Sequence, residues 1–309
     1  MKLSTPIGDI GNKIGYKKAI NLISKSGFDA FDLSMYSMHI KPNQLSGDNY
    51  LYYLKELKEE MHKLGIECNQ AHAPFPTQLN GNDEYNQMTL KMIIRSMECA
   101  AFLGAKVIVV HPIKNSSSSL CSKYAFVKYE SKQQLFDANI NFFKKLIPYC
   151  QKFNIKIAVE NMWERHPIHR DTLIPAFLGN SEEHARFIDV LDSEWIVGCL
   201  DIGHALICGE NPAQAIRRLG AKRLQALHIH DCNGYEDSHA LPFSMPNNWD
   251  EIMNALAEIC YNGDFTFEAE NFYKYYPEEL YSDALTFMCK MGRYMINSIN
   301  NKCLGDKNV

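Results

Sequence analysis

Glu160, Asp201, His228 and Glu268 each fall near the end of a short β-branched or aromatic run, and together they offer three carboxylates and one imidazole. Oxygen-rich donor sets with one nitrogen suit Mn²⁺, Mg²⁺ or Co²⁺, and extra imidazoles move the preference toward Zn²⁺. Extra imidazoles are at hand. His204 follows Asp201 by three residues, His239 follows Asp237 by two, His72 and His111 end further runs, and His230 ends the run that carries His228. A lone histidine or glutamate in such a place is commonly a hydrogen-bonded or solvated residue. A convergent set is different, because crowding these acids and histidines together without compensation costs several kcal/mol. A divalent cation (Mn, Co, Mg or Zn) is the simplest compensation, its identity and number left open by the donor types.

These residues need strands to carry them. Candidate strands are Lys2 to Ser4, Phe28 to Leu33, Ile66 to His72, Lys106 to His111, Lys156 to Asn161, Val197 to Asp201, Leu224 to His230 and Phe265 to Glu270. Alternation along a strand puts Ile66, Cys68, Gln70 and His72 on one face. It does the same for Val107, Val109 and His111, then Ala158 and Glu160, then Val197, Cys199 and Asp201. On the seventh run it gives Leu224, Ala226, His228 and His230, and on the eighth Thr266, Glu268 and Glu270. Six consecutive runs thus deliver an ionisable side chain to the same end.

Between the runs, apolar residues recur at helical spacing, as in Trp249, Ile252, Met253, Leu256, Ile259 and Cys260. Stops are expected at Leu64-Gly65, Leu103-Gly104, Leu219-Gly220 and Asn262-Gly263. Eight strands alternating with helices predict a single (β/α)8 barrel over residues 1–298, with a polar, frayed tail at 299–309. The rival open doubly wound sheet lacks a G-x-G-x-x-G after its first strand.

The whole chain is 309 residues with 46% hydrophobic and 22% charged residues, the composition of a folded globular protein. Its 32 basic and 36 acidic residues leave a net charge of -4, with no concentrated basic run to attract nucleic acid. The ten cysteines form no C-x-x-C pair, and no apolar run is long enough for a membrane span. With no apolar leader at Met1 to Ile10, a cytoplasmic location with reduced thiols is expected. His39, His62 and His184 are expected at the surface. His166 and His169 share the loop Asn161 to Asp171 with Trp163, Arg165 and Arg170, a loop that could cover a polyol, bind a phosphate or be merely solvated.

The segments Val159-Glu160-Asn161, Cys199-Leu200-Asp201-Ile202-Gly203-His204-Ala205, His228-Ile229-His230-Asp231 and Asp237-Ser238-His239-Ala240-Leu241-Pro242 resemble the sugar phosphate isomerase/epimerase family, the xylose isomerase-like barrels. So do Trp249-Asp250 and Tyr261 to Glu268. The likeness covers most of the chain and is densest from Ile155 to Glu270, specific for the superfamily and not for a substrate. It implies a divalent metal on Glu160, Asp201, His228 and Glu268. Endonuclease IV, a zinc nuclease of abasic sites, is in the same superfamily, and its ligand pattern extends the set to His72, His111, His204, Asp237 and His239. One departure is Phe243 to Asn248, where Ser-Met-Pro-Asn-Asn stands in place of glycines.

The resemblance implies an isomerase or epimerase of a sugar, sugar phosphate or polyol. Glu160 and Glu268 would move a proton through a metal-stabilised cis-enediolate. His72, His111, His204, His230 and Arg165 would bind the substrate, and His204 or His239 could assist the proton relay. The alternative is an endonuclease IV-like zinc phosphodiesterase acting on abasic DNA, against which the missing basic cluster counts. A metal-bearing sugar-binding barrel without catalysis is the third reading. The expected partner is a small sugar or polyol, with no membrane and with nucleic acid disfavoured; copies of the chain could pair through outer helices, and the aromatics of Phe272 to Tyr281 fit such pairing and core packing equally well.

Overall fold

A computed structural model describes residues 1–40, 43–114, 129–164, 172–173 and 176–305. The strands are β1 (Leu3–Ser4), β2 (Ala30–Ser34), β3 (Glu67–His72), β4 (Val107–Val110), β5 (Lys156–Glu160), β6 (Ile196–Asp201), β7 (Leu224–His228) and β8 (Phe265–Thr266). The helices are α1 (Gly8–Ile14), α2 (Tyr16–Lys25), α3 (Tyr50–Leu64), α4 (Asp83–Leu103), α5 (Lys132–Phe153), α6 (Ser181–Leu191), α7 (Ile202–Ile207), α8 (Pro212–Arg223), α9 (Trp249–Glu258) and α10 (Tyr281–Gly305). β2 to β7 pair in sequence order, all parallel, and β1 pairs with β8. Parallel bridges from Pro6 to Asp32 and from Ile229 to Phe267 close both gaps, so the sheet is the expected (β/α)8 barrel.

Local sequence explains the punctuation. Asn82, Ser131, Asn180, Asn211 and Asn248 each cap a helix by accepting a backbone N–H from its first turn. Gly65 and Gly104 end α3 and α4 in the left-handed region as expected. The expected stop at Asn262-Gly263 falls earlier, since the left-handed residue after α9 is Cys260, with φ 51°. The eighth run is shorter than expected too, because Glu270 leaves the strand into a 3-10 turn at Glu270–Phe272.

The barrel interior holds a small-residue waist, Val109, Ala158, Val197, Cys199 and Ala226, while a larger apolar layer fills the space between strands and helices. Alternation predicted the waist correctly and failed lower down. The β2–β3 register shifts so that Asn69 is an extra residue, and Cys68 packs in the outer layer with Ile66. The β6–β7 register shifts at Gln225 and sends Leu224 to the same layer. Each bulge reverses the phase of the strand below it.

The last helix crosses the expected boundary at residue 298. It runs to Gly305, with Ile299 fully buried, Lys302 Nζ donating to Asn254 and the Cys303 thiol to Ala257 O. Those bonds to α9 tie down residues expected to fray. Among the described residues no helix is long and apolar enough to cross a membrane.

Candidate functional site

Strand ends place the site at the C-terminal mouth. Glu160 ends β5, Asp201 ends β6 and His228 ends β7, while Glu268 follows β8 one residue past Phe267. Asn161 ties the tops of β5 and β6 together, accepting from Asp201 N at 2.7 Å and donating to Asp201 O at 3.0 Å. Asp201 Oδ1 also caps α7 through His204 N at 2.7 Å, which fixes the carboxylate without a rotamer search.

His228 Nδ1 is the centre. It lies 2.6 Å from Glu160 Oε1, 2.9 Å from Glu268 Oε2 and 3.8 Å from Asp201 Oδ2. One ligand atom from each of the four residues lies within 4.8 Å of all the others, and all four are buried. The second oxygens are held as well. Tyr36 Oη donates to Glu268 Oε1 at 2.9 Å, and His111 Nε2 comes within 2.6 Å of Glu160 Oε2 without an aligned hydrogen bond.

Two further histidines have their tautomers set from behind. His72 Nδ1 donates to the buried Asp32 Oδ1 at 2.9 Å, which leaves Nε2 unpartnered and 3.9 Å from Glu268 Oε1. His204 Nδ1 donates to Asn161 O at 2.7 Å, so its Nε2 faces Asp237 Oδ2 at 3.5 Å. Asp237 in turn approaches His239 Nε2 at 3.2 Å, and Glu270 Oε1 takes the other side of His239 at 3.2 Å. Donation of one ring N–H to a carboxylate or carbonyl, freeing the other nitrogen, is the arrangement metal-ligating histidines use.

Charge balance is carried inside this cluster. Burial raises the pKa of Glu160 and Glu268, but His228, helped by His111 at Glu160, outweighs it and holds both carboxyls well below the usual range. Burial lowers His204, yet Asp201 and Asp237 push it up to about 10. His239 is likewise lowered by burial and pushed up to about 12 by Asp237 and Glu270. Protons on imidazoles thus offset the acid excess.

Above the centre is a chamber of about 290 Å³ lined by Tyr36, Phe75, His111, Lys114, Glu160, Met162, Trp163, His204, Asp237, His239 and Glu268. His72, Asp201 and His228 lie at 0% exposure beneath or behind it. His230 is also displaced from its expected place among substrate hydroxyls. Its Nε2 lies 3.0 and 3.1 Å from the two oxygens of Asp201 and its Nδ1 faces Asp231 O, so both nitrogens are turned to protein acceptors. The ring fits only because residue 203 is glycine, since a Cβ there would fall inside it.

Arg165, His166, His169 and Arg170 lie outside the described residues. His184 corrects a surface expectation: it is fully buried, donating Nε2 to Val159 O at 2.9 Å, and burial lowers its pKa to about 4. His39 is half-buried against Tyr85 Oη at 2.7 Å and also falls to about 4 through burial, whereas His62 is exposed as expected. Tyr36, Asp32 and Lys114 were not read from the sequence. Applied to β2, alternation gives Asp32, Ser34 and then Tyr36, so a signal for the first two was present. Lys114 stands three residues beyond His111 and offers a cation to the chamber; burial lowers its pKa, with Glu164 and Asp237 opposing.

A family description reading "Xylose isomerase-like TIM barrel" matches residues 20–291. A protein of Methanocaldococcus jannaschii, MJ1311, is 29% identical over 258 residues, covering 81% of this chain and 77% of that one. The solved structure of a D-tagatose 3-epimerase-like protein superimposes with a TM-score of 0.73 at 23% identity, covering 98% of this chain and 99% of that one. The IolI protein, solved with a zinc atom bound, gives a TM-score of 0.69 at 16% identity, covering 98% and 99%.

Proposed function

The chain belongs to the xylose isomerase-like TIM-barrel family, and on that premise we propose that it is a divalent-metal-dependent isomerase or epimerase of a sugar, sugar phosphate or related polyol. The observation that carries this reading is the buried quartet of Glu160, Asp201, His228 and Glu268, with ligand atoms within 4.8 Å of one another. Its chemistry fits a cation: three carboxylates crowd one nitrogen, and neighbouring buried atoms, His72 Nε2, Asp237 Oδ1 and Glu270 Oε2, lack hydrogen-bond partners among the described residues. Those four residues would hold the ion, which when bound supplies positive charge to a carbonyl oxygen and its neighbouring hydroxyl. The sugar-epimerase likeness and the zinc in IolI support the reading.

The chain's own side chains do the proton work. One of Glu160 and Glu268 takes the proton from the carbon beside the carbonyl, leaving an enediolate on the substrate. Return of a proton to the neighbouring carbon isomerises, and return by the second acid to the opposite face of the same carbon epimerises. Tyr36 holds Glu268 by Oε1, which aims that carboxylate before substrate arrives, and His111 stands at Glu160 Oε2. His204, His239 and Lys114 line the chamber to meet hydroxyls or a phosphate, and Phe75, Met162 and Trp163 wall off water.

The test is solvent exchange. Metal-loaded protein incubated in deuterated water with ketoses, aldoses and their phosphates should place deuterium on a substrate carbon, read by NMR. Glu160→Gln should abolish it. No exchange across the panel, or full exchange by Glu160→Gln, would overturn the assignment.

One observation favours a second reading. Asp237 stands between His204 and His239, at 3.5 and 3.2 Å, and ligand atoms of His230, Asp237 and His239, one from each, lie within 4.8 Å of one another, a second group next to the first that could hold a further ion. A zinc phosphodiesterase acting on abasic DNA needs several metals. Three zincs per chain with salt-sensitive nicking of abasic DNA would favour it, and a single Mn²⁺ or Co²⁺ favours the isomerase.

A further inference from the structure

The opposite mouth of the barrel repeats the pattern of the catalytic end with different chemistry. The N-terminal ends of β3 to β8 supply Asn69, Lys156 and Gln225 from the strands and Lys106, Trp195 and Asp264 from the residues just before β4, β6 and β8 to one cavity of about 500 Å³. That volume is in the range of small-molecule sites. Lys106 and Lys156 come from adjacent strands joined by Lys156 N donating to Lys106 O at 3.1 Å. Trp195 is next around the ring, its carbonyl accepting from Ile157 N at 2.9 Å. Among the described residues Lys156 Nζ donates to the neutral Gln225 Oε1 at 2.8 Å, and neither lysine has a carboxylate within ion-pair distance.

Asn69 backs the same cavity at 6% exposure. Its Nδ2 is committed to Ser4 Oγ at 3.1 Å and Asp264 Oδ2 at 3.0 Å. The carboxylate can only accept, so the amide cannot be turned around, and Oδ1 is left without a donor among the described residues. A buried acceptor without a donor costs stability. Two ammonium groups, an aromatic ring and amide groups, beside the carboxylates of Glu194 and Asp264, make a polar surface walled off from the metal centre by the small-residue waist and by Gln70; Asp264 is already committed to Lys2 N and Asn69 Nδ2.

We propose that this cavity binds a small hydroxylated anion, a phosphorylated or carboxylated polyol, at a site separate from the metal chamber. Lys106 and Lys156 take the anionic group, Gln225 meets hydroxyls, and Trp195 offers its ring to the carbon skeleton. Gln70 lines this cavity and also contacts His228 Nε2 at 3.1 Å, so an occupant sits one side chain below the metal centre.

The test uses the full chain, with glucose 6-phosphate and gluconate as probes, read by calorimetry and by tryptophan fluorescence. Saturable binding of at least one probe is expected, and the tighter probe identifies phosphate or carboxylate as the recognised group. Lys106→Gln and Lys156→Gln should each weaken it about tenfold, the value of one charged hydrogen bond. The charge-keeping double change to Arg should retain it, as should Glu160→Gln at the other mouth. Trp195→Phe should remove the fluorescence response and keep the calorimetric one. The proposal fails if neither probe saturates, if binding survives both Lys→Gln changes, or if Glu160→Gln abolishes it. It fails as well if inorganic phosphate binds as tightly as either probe. The metal chamber takes sugars as well on the isomerase reading, so the far cavity is read by the Trp195 fluorescence response and by its loss in the Lys106 and Lys156 variants, neither of which depends on turnover.

Discussion

Gln70 holds His228 by its outer nitrogen: the two Nε2 atoms are 3.1 Å apart, while His228 Nδ1 faces Glu160 and Glu268 at 2.6 and 2.9 Å. With a proton on Nδ1, Nε2 accepts from the Gln70 amide. If Nδ1 gives up its proton to bind a cation, Nε2 carries the hydrogen and the amide must turn to accept it. Gln70→Leu leaves that N–H without its partner. Metal affinity, measured against a chromophoric chelator, should fall about 10- to 100-fold. Unchanged affinity would show that Gln70 does not orient the ring.

Tyr36→Phe removes one hydroxyl and keeps the ring stacked on His111 and packed at a tilt against His72. Glu268 then loses the donor that aims Oε1. A fall in kcat of about tenfold or more with little change in KM is expected, since one aligned hydrogen bond is worth about 1–3 kcal/mol. An equal change in KM with kcat intact would instead place Tyr36 in substrate binding.

Metal loading should release protons. A ligating imidazole must be neutral, so His228, which burial lowers but Cys199, Glu268 and Glu160 hold well above its usual value, gives up a proton, and the nearby cation repels the protons of His204 and His239, raised to about 10 and about 12. Calorimetry in buffers of different ionisation enthalpy reads the release directly. The same shifts set the sign for stability. A raised histidine pKa contributes stability fully present below the unfolded value near 6.5 and lost as pH rises toward 10. Chelator-treated protein should therefore lose stability across that window more steeply than metal-loaded protein, and parallel urea melts of the two would refute the linkage.

His184 gives the opposite sign. Its pKa falls to about 4, so the unfolded chain binds the extra proton and stability present above about 6.5 is lost as pH falls toward 4. The loss is on the order of 3 kcal/mol for a fully buried ring. Urea midpoints of His184→Gln should show a flatter decline between those pH values than the parent chain; an equal slope would assign the decline to other groups.

Much of the site was legible because burial on one side makes strand phase strict. Alternation on β4, β5, β6 and the upper part of β7 needed no knowledge of partners. It broke at Asn69 and Gln225, where an inserted residue changes phase and nothing in residue type announces it. His184 shows a different failure. His184, Phe187, Ile188 and Leu191 follow the spacing of a buried helical face, but a polar residue on that face was assigned to solvent. Asp32 escaped because its role, holding His72, depends on a contact between strands rather than on its own segment.

The fit of the His230 ring over Gly203 makes the two positions a single heritable unit. A chain that gains a side chain at 203 must lose or move the imidazole that steadies Asp201, so substitutions there should arise as pairs. In laboratory evolution, a side chain gained at 203 while His230 is kept should be a dead end.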